Sequence, residues 1–460
     1  MPPLLILLIG MAAILGAILG LRLHAFLALL GAAILVSLLA PGDSAVRLTR
    51  VAEAFGRTAG NIGIVIALAA VIGAAMTKSG ASDRIVRGFL SLLGEERGAV
   101  ALACTAFVLS LPVFFDTIFF LLAPLARSMY ARTNRNYLRY LLAMSASGVA
   151  THTLVPPHPG PLAVADTLGI DLGVMILVGI VVALPGAVAG NLFGKWLDRR
   201  MPVEMGPSAV DPDGGSAPPA DESREPTLTW ALLPVLLPVV LIASGTVLDA
   251  LRTALPARAD LWNTLRPWTA TLGNANMAML ISATLALLVY WRRSRPSARE
   301  LGDLIERSLM GAGVVIMIVA AGGAFGAMLQ AAQIGPEVQR MFTGGAGDSG
   351  WVFLFLAFGL CVTMKIIQGS STVAMITTAG MIKAMITGIT LPFHPVYIAT
   401  AIAGASLVGS WMNDAGFWVF SKVGGVSERD TLKSWSPLSA VVGTSIMITT
   451  VLMAWLLPLR

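Results

Sequence analysis

Charge is scarce in this sequence: Asp, Glu, Lys and Arg make up 12% of 460 residues, against 56% hydrophobic residues and a mean hydropathy of +0.80. So few charges cannot cover the surface of a soluble protein of this length. The apolar runs instead match a membrane, because a helix rising 1.5 Å per residue needs about 20 apolar residues to cross roughly 30 Å of hydrocarbon. Cysteine is nearly absent. Cys104 and Cys361 both lie in apolar runs, which excludes a disulfide framework and a cysteine metal site and leaves them as small core residues. No HExxH or comparable metal motif occurs, and Ser370 has no base partner in view. An embedded enzyme using His152, His158 and Asp116 as acid and base is therefore disfavoured, and no cofactor is called for. The net charge of +6 comes from Lys and Arg scattered through loops rather than drawn into a stripe, so nucleic acid is not a partner and membrane orientation explains them. The N-terminal run lacks the basic flank and cleavage site of a signal peptide and is expected to remain as a first span.

Spans are expected at 3–20, 25–40 and 61–77, followed by a basic amphipathic segment lying along the interface. The apolar stretch 99–126 is interrupted by Pro112 and Asp116 and carries basic residues on both flanks, so it reads as a re-entrant hairpin with its tip at Leu111 to Thr117. A broken span at 140–165 and a further span at 173–194 follow. Residues 202–228, rich in Pro, Gly, Ser and acid, read as a disordered cytoplasmic linker. Beyond them come spans near 229–249, 271–291 and 311–333, a second hairpin at 351–388, a second broken span at 396–421 and a last span at 438–457. The order repeats, and an odd number of crossings, five, in the first half would turn the second half over. The fold class is thus an all-α polytopic membrane protein of two inverted repeats, 1–201 and 229–460, each with a re-entrant hairpin and a broken transmembrane helix, the architecture of secondary transporters. Most basic residues, Arg127, Arg132, Arg135, Arg139, Arg199 and Arg200 among them, then share one side, which favours periplasmic termini.

The chemistry gathers at the four interruptions. In LPVFFDTIFF, Asp116 sits among phenylalanines, where burial disfavours its charged form and suits it to exchange a proton; capping the next helix is the plainer alternative. In THTLVPPHPGP, Pro156, Pro157, Pro159 and Pro161 break the helix, and the second half-helix is expected to start near Pro161, its amides and Gly160 facing an anion. His158 and His152 could each hydrogen-bond a substrate, carry a proton or satisfy freed carbonyls. In KIIQGSSTVAMITTAG, Gly369 permits a tight turn and Ser370, Ser371 and Thr372 offer hydroxyls and amides. Lys365 could pair with a substrate anion or with Asp116, whereas Lys383 reads as a snorkelling lysine. In GSWMNDAGFW, Asn413 could bind substrate and Asp414 could cap a half-helix or take the coupled proton, while Trp411, Phe417 and Trp418 could stack on a sugar chain. His24 and His394 read as interfacial.

HTLVPPHPGP, LPVFFD, QGSSTVAMITTAG, WMNDAGFWVF and TLKSW together resemble the gluconate permease family of bacterial sugar-acid:proton symporters, over both halves of the chain. The resemblance implies proton-coupled uptake of gluconate or a related small hydroxy-carboxylate across the bacterial inner membrane, with H⁺ as coupling ion. It also implies kinship with a wider ion-transporter superfamily whose hairpin domains move against a dimeric scaffold, hence a homodimer in the lipid bilayer. A sodium-coupled carboxylate transporter is the alternative within the same class, with carbonyls and hydroxyls of QGSST and WMNDAG holding the cation.

Overall fold

The computed structural model describes residues 2–43, 46–94, 97–206, 226–254, 259–334, 336–337 and 349–459, and helices are the only regular secondary structure among them. The first half runs α1 (Pro3–Leu15), extended by a π turn to Gly20, then α2 (Ala25–Leu39), α3 (Val46–Lys78), α4 (Ala81–Leu93), α5 (Gly98–Leu109), α6 (Phe115–Thr133), α7 (Tyr137–Leu154), α8 (Pro159–Leu168) and α9 (Leu172–Arg200). The second half runs α10 (Leu228–Ala254), α11 (Ala259–Leu272), α12 (Ala275–Ser294), α13 (Ala298–Ala331), α14 (Ser349–Gln368), α15 (Ser371–Ile386), α16 (Val396–Ala405), α17 (Ala415–Gly424) and α18 (Glu428–Leu456). Seven of these, α3, α9, α10, α12, α13, α14 and α18, are long and apolar enough to cross a membrane. The chain is an all-α polytopic membrane protein. Of the linker expected at 202–228, residues 207–225 lie outside the described residues.

Helix ends follow local chemistry. Asp171 caps α9 by accepting from the Val174 amide at 3.0 Å, and Ser427 caps α18 through the Asp430 amide at 3.1 Å. Ser297 and Glu300 form a capping box at the start of α13. Each such cap satisfies amides that the first helical turn leaves open, for about 1 kcal/mol. Three helices are longer than their apolar content indicates. The first turns of α3, α13 and α18 are charged and lower the hydropathy that marks a span, yet continue the helix without a break. In α3 the charges have a use: Arg47 Nη1 donates to the Leu38 carbonyl at 2.9 Å, and Arg50 donates to Ser37 Oγ at 2.7 Å and to the Pro41 carbonyl at 2.9 Å. The cations thereby close the negative end of α2. Helix α11 was not expected at all; the charged and proline-bearing stretch ADLWNTLRPWTATL carries no span-like run.

The packing order recurs. In each half the hairpin's first arm lies on the first piece of the broken span, α5 on α7 and α14 on α16, and that piece lies on the closing helix, α7 on α9 and α16 on α18. The halves are interlocked through α3 with α13, α8 with α15 and α9 with α18. Lipid tails give helices no hydrophobic reason to associate, so close approach of small residues has to supply the contact energy. Helices α13 and α15 meet at Gly326 and Gly380, where a Cβ added to Gly326 would stand 2.7 Å from the Gly380 Cα. A Gly326→Val substitution should therefore cost about 1–3 kcal/mol by overpacking. Thermal unfolding in detergent should show that loss, while Gly313→Ala on the same helix, where nothing lies within 4 Å of a new Cβ, leaves the midpoint unchanged or raises it.

Candidate functional site

Two hairpin tips and two helix breaks meet at one place. In the first tip, Pro112 ends the run begun by α5, and α6 starts with Phe114 as its N-cap. A phenylalanine cannot accept hydrogen bonds, so no side chain closes the first-turn amides of α6. In the second tip only Gly369 and Ser370 separate α14 from α15. Gly369 has φ +83°, and a Cβ there would run into the backbone of Asn413, so both conformation and space exclude any other residue. Ser370 caps α15, its Oγ accepting from the Val373 amide at 3.3 Å.

The first break spans residues 155–158, with Pro156–Pro157 in the cis form. Helix α8 begins at Pro159, two residues before the Pro161 start expected from sequence, with His158 at its N-cap. Prolines at the first and third positions leave Gly160 as the one amide donor among the first three. That glycine faces α15, where a Cβ would meet Met375 Sδ at 2.9 Å. This helix end is accordingly a packing surface rather than the anion cradle the sequence suggested. The buried His158 ring meets the Ser110 carbonyl through Nε2 and so ties the break to the first hairpin tip. Its centroid lies 4.1 Å from that of His152 and 5.8 Å from that of Phe114.

The second break is held by charge. Lys365, with no exposed surface, pairs with Asp414 Oδ2 at 2.9 Å and also donates to the Gly369 carbonyl. Asp414 Oδ1 accepts from the Gly416 amide at 3.2 Å and caps α17, while Ser410 Oγ donates to Oδ2. Trp435 Nε1 donates to Ser410 at 2.7 Å, and its ring packs on Phe115 and Phe420 with centroids 5.6 Å away. Lys365 therefore serves Asp414, not Asp116. Lys383 is no snorkelling residue either; it donates to the Leu168 carbonyl at 3.2 Å and closes the C-terminus of α8.

These parts enclose a cavity of ≈ 420 Å³. Of the residues singled out from sequence, Asp116, His152, Ser370, Ser371, Thr372, Asn413 and Asp414 line it, and His158, Gly160 and Lys365 stand behind its wall. Trp411 and Trp418 are largely exposed and bond to backbone carbonyls, and Phe417 is buried, so none of them lines the cavity. The aromatic wall is Phe114, Phe115 and Trp435; sequence reasoning passed over Trp435 although it ends the TLKSW string. Gln368, Thr153, Ser410 and Ser439 were also missed; Gln368 stood inside the quoted QGSST string, masked by the more familiar hydroxyls.

A neighbouring cavity of ≈ 600 Å³, lined by Lys78, Tyr290, Asp303 and Arg307 among others, shares Phe114 with the first. Chemistry points to the smaller one. His152 Nδ1, both amide atoms of Gln368 and Asn413 Oδ1 are buried there without a hydrogen-bond partner, whereas no such atom lines the larger cavity among the described residues. The N-termini of α6, α15 and α17 reach the same cavity and turn positive dipole ends toward it. No lysine or arginine lines it, and its two carboxylates differ: Asp414 is neutralised by Lys365, while no cation pairs with Asp116 among the described residues. Nor do three His, Cys, Asp or Glu gather as a metal site among those residues.

A family model described as GntP family permease matches residues 2–456. The low-affinity gluconate transporter of Escherichia coli (strain K12) is 30% identical over 429 residues, 92% of this chain and 92% of that one. The Gnt-II system L-idonate transporter of the same strain is 29% identical over 442 residues, 96% of each chain. Among solved structures, MtrF of Neisseria gonorrhoeae, described as illuminating a class of antimetabolite efflux pumps, shares the fold with a TM-score of 0.65. Its identity is 15%, over 90% of this chain and 85% of that one.

Removing one member of the buried pair should be worse than removing both. Lys365→Met strands the Asp414 carboxylate and should cost about 3–5 kcal/mol. Lys365→Met with Asp414→Leu should recover part of that loss in thermal unfolding, and a double variant no more stable than the single one would count against the pair as the source.

Proposed function

Because this chain belongs to the GntP permease family, we propose that it is a secondary active transporter that carries gluconate or a related sugar acid, with protons, across the bacterial inner membrane. The substrate class is drawn from relatives named for gluconate and L-idonate. The observation that carries the coupling is the charge inventory of the cavity among the described residues: a carboxylate, Asp116, with no paired cation, and no lysine or arginine on the wall. The substrate carboxylate goes to the N-terminus of α15, where the Ser371 and Thr372 amides and the Ser370 and Thr372 hydroxyls lie beside a positive dipole end. An anion entering there meets ionised Asp116. Two like charges about 5 Å apart repel by about 3 kcal/mol at an effective dielectric constant of about 20, enough to weaken binding more than a hundredfold. A proton on Asp116 removes that repulsion, so anion and proton bind together. Asp414 is already engaged by Lys365, Ser410 and the Gly416 amide, which leaves Asp116 as the proton carrier and His152 as a neighbouring hydrogen-bonding group. His158 positions the site from behind.

In this reading residues 1–201 and 229–460 are inverted repeats joined by a cytoplasmic linker, with both termini periplasmic. Two copies form a dimer, and the hairpins and broken helices move together against the remaining spans to alternate access. The sign of the pH effect follows. Protonation of Asp116 favours the anion, so apparent affinity should fall as pH rises, and an inward proton gradient should drive accumulation in proteoliposomes. Asp116→Asn should keep gluconate counterflow but lose accumulation driven by the gradient, with binding that no longer responds to pH. Uptake that follows a sodium gradient and ignores an imposed pH gradient would replace H⁺ by Na⁺ as the coupling ion.

A further inference from the structure

We propose that Gln368 is a specificity-determining residue that selects a hydroxylated chain over a plain carboxylate. The inference rests on the reading of the cavity as a sugar-acid site. Gln368 ends α14 and stands at the second hairpin tip, and both Nε2 and Oε1 are buried without a hydrogen-bond partner. Its neighbours are committed elsewhere. Asn413 Nδ2 donates to the Ile366 carbonyl at 2.8 Å, leaving only Oδ1 open; Ser371 Oγ donates to the Ser406 carbonyl at 2.8 Å; Ser370 Oγ accepts from the Val373 amide.

A sugar hydroxyl is both donor and acceptor, and a carboxamide is the neutral side chain that offers one of each in a fixed plane. A charged group in this place would respond to the substrate's anion. An amide responds to its hydroxyls. The position fits the division of labour: α15 begins three residues later and its N-terminus takes the carboxylate, so Gln368 and Asn413 Oδ1 meet the carbons beyond it. A site whose buried polar groups are answered by a substrate hydroxyl rejects the analogue that lacks it, because those groups then stay unpaired. Hexanoate has the chain length and carboxylate of gluconate without its hydroxyls.

The test is inhibition of labelled gluconate counterflow in proteoliposomes by unlabelled gluconate and by hexanoate, for the unaltered protein, Gln368→Met and Gln368→Asn. The unaltered protein should prefer gluconate strongly. Gln368→Met, close in length but without the amide, should weaken gluconate by about 10- to 100-fold and leave hexanoate unchanged or tighter. Gln368→Asn, with the amide kept on a shorter stem, should retain the order of preference and so guard against a trivial folding defect. Parallel weakening of both acids by Gln368→Met, or no change for gluconate, would overturn the assignment. An unaltered protein that takes no polyhydroxy acid would instead overturn the function on which it rests.

Discussion

The pair formed by Lys365 and Asp414 is a contact between full charges in a chain surrounded by hydrocarbon, where an unpaired charge costs several kcal/mol. The rest of the cavity is arranged around that pairing. Lys365 belongs to the second hairpin and Asp414 to the second break, so the pair fixes one against the other, while Ser410 and Trp435 carry the register to α18 and onward to Phe115 of the first hairpin. The pair also sets the electrostatics of the cavity. By cancelling one carboxylate it leaves Asp116 as the charge that an incoming anion would meet.

The first interruption is held by different means. His158 links the break to the Ser110 carbonyl, and the rings of His152, His158 and Phe114 pack on one another. Here neutral rings do what an ion pair does at the second break. The two sides of the cavity are thus alike in layout and unlike in chemistry, which gives an asymmetric substrate two distinct ends to address.

Much of this was legible in the sequence because prolines, glycines and intramembrane polar residues have few tolerable positions in a bilayer. The breaks at VPPHPGP and GSWMNDAG and the hairpin tip at Gly369 followed from backbone chemistry alone. What stayed hidden depended on direction. Lys365 was placed near a tip, but nothing in a linear string says that it turns to Asp414 instead of Asp116. Gly160 reads in the string as an anion contact, and only packing against Met375 shows which way it faces. Trp435 lies 24 residues beyond Trp411, and spacing could not tell which tryptophan reaches the cavity. The charged first turns of α3, α13 and α18 escaped because hydropathy measures partition into lipid, not helix formation.

The start of α8 has one further consequence. Prolines strip it of two of its first three donors, but they do not remove the aligned peptide dipoles behind them. Such an end exerts a long-range pull without short-range ligands. In the proposed transport cycle it would hasten the encounter of an anion with the cavity and add little to its residence there, since residence depends on bonds that must break and encounter depends on the field.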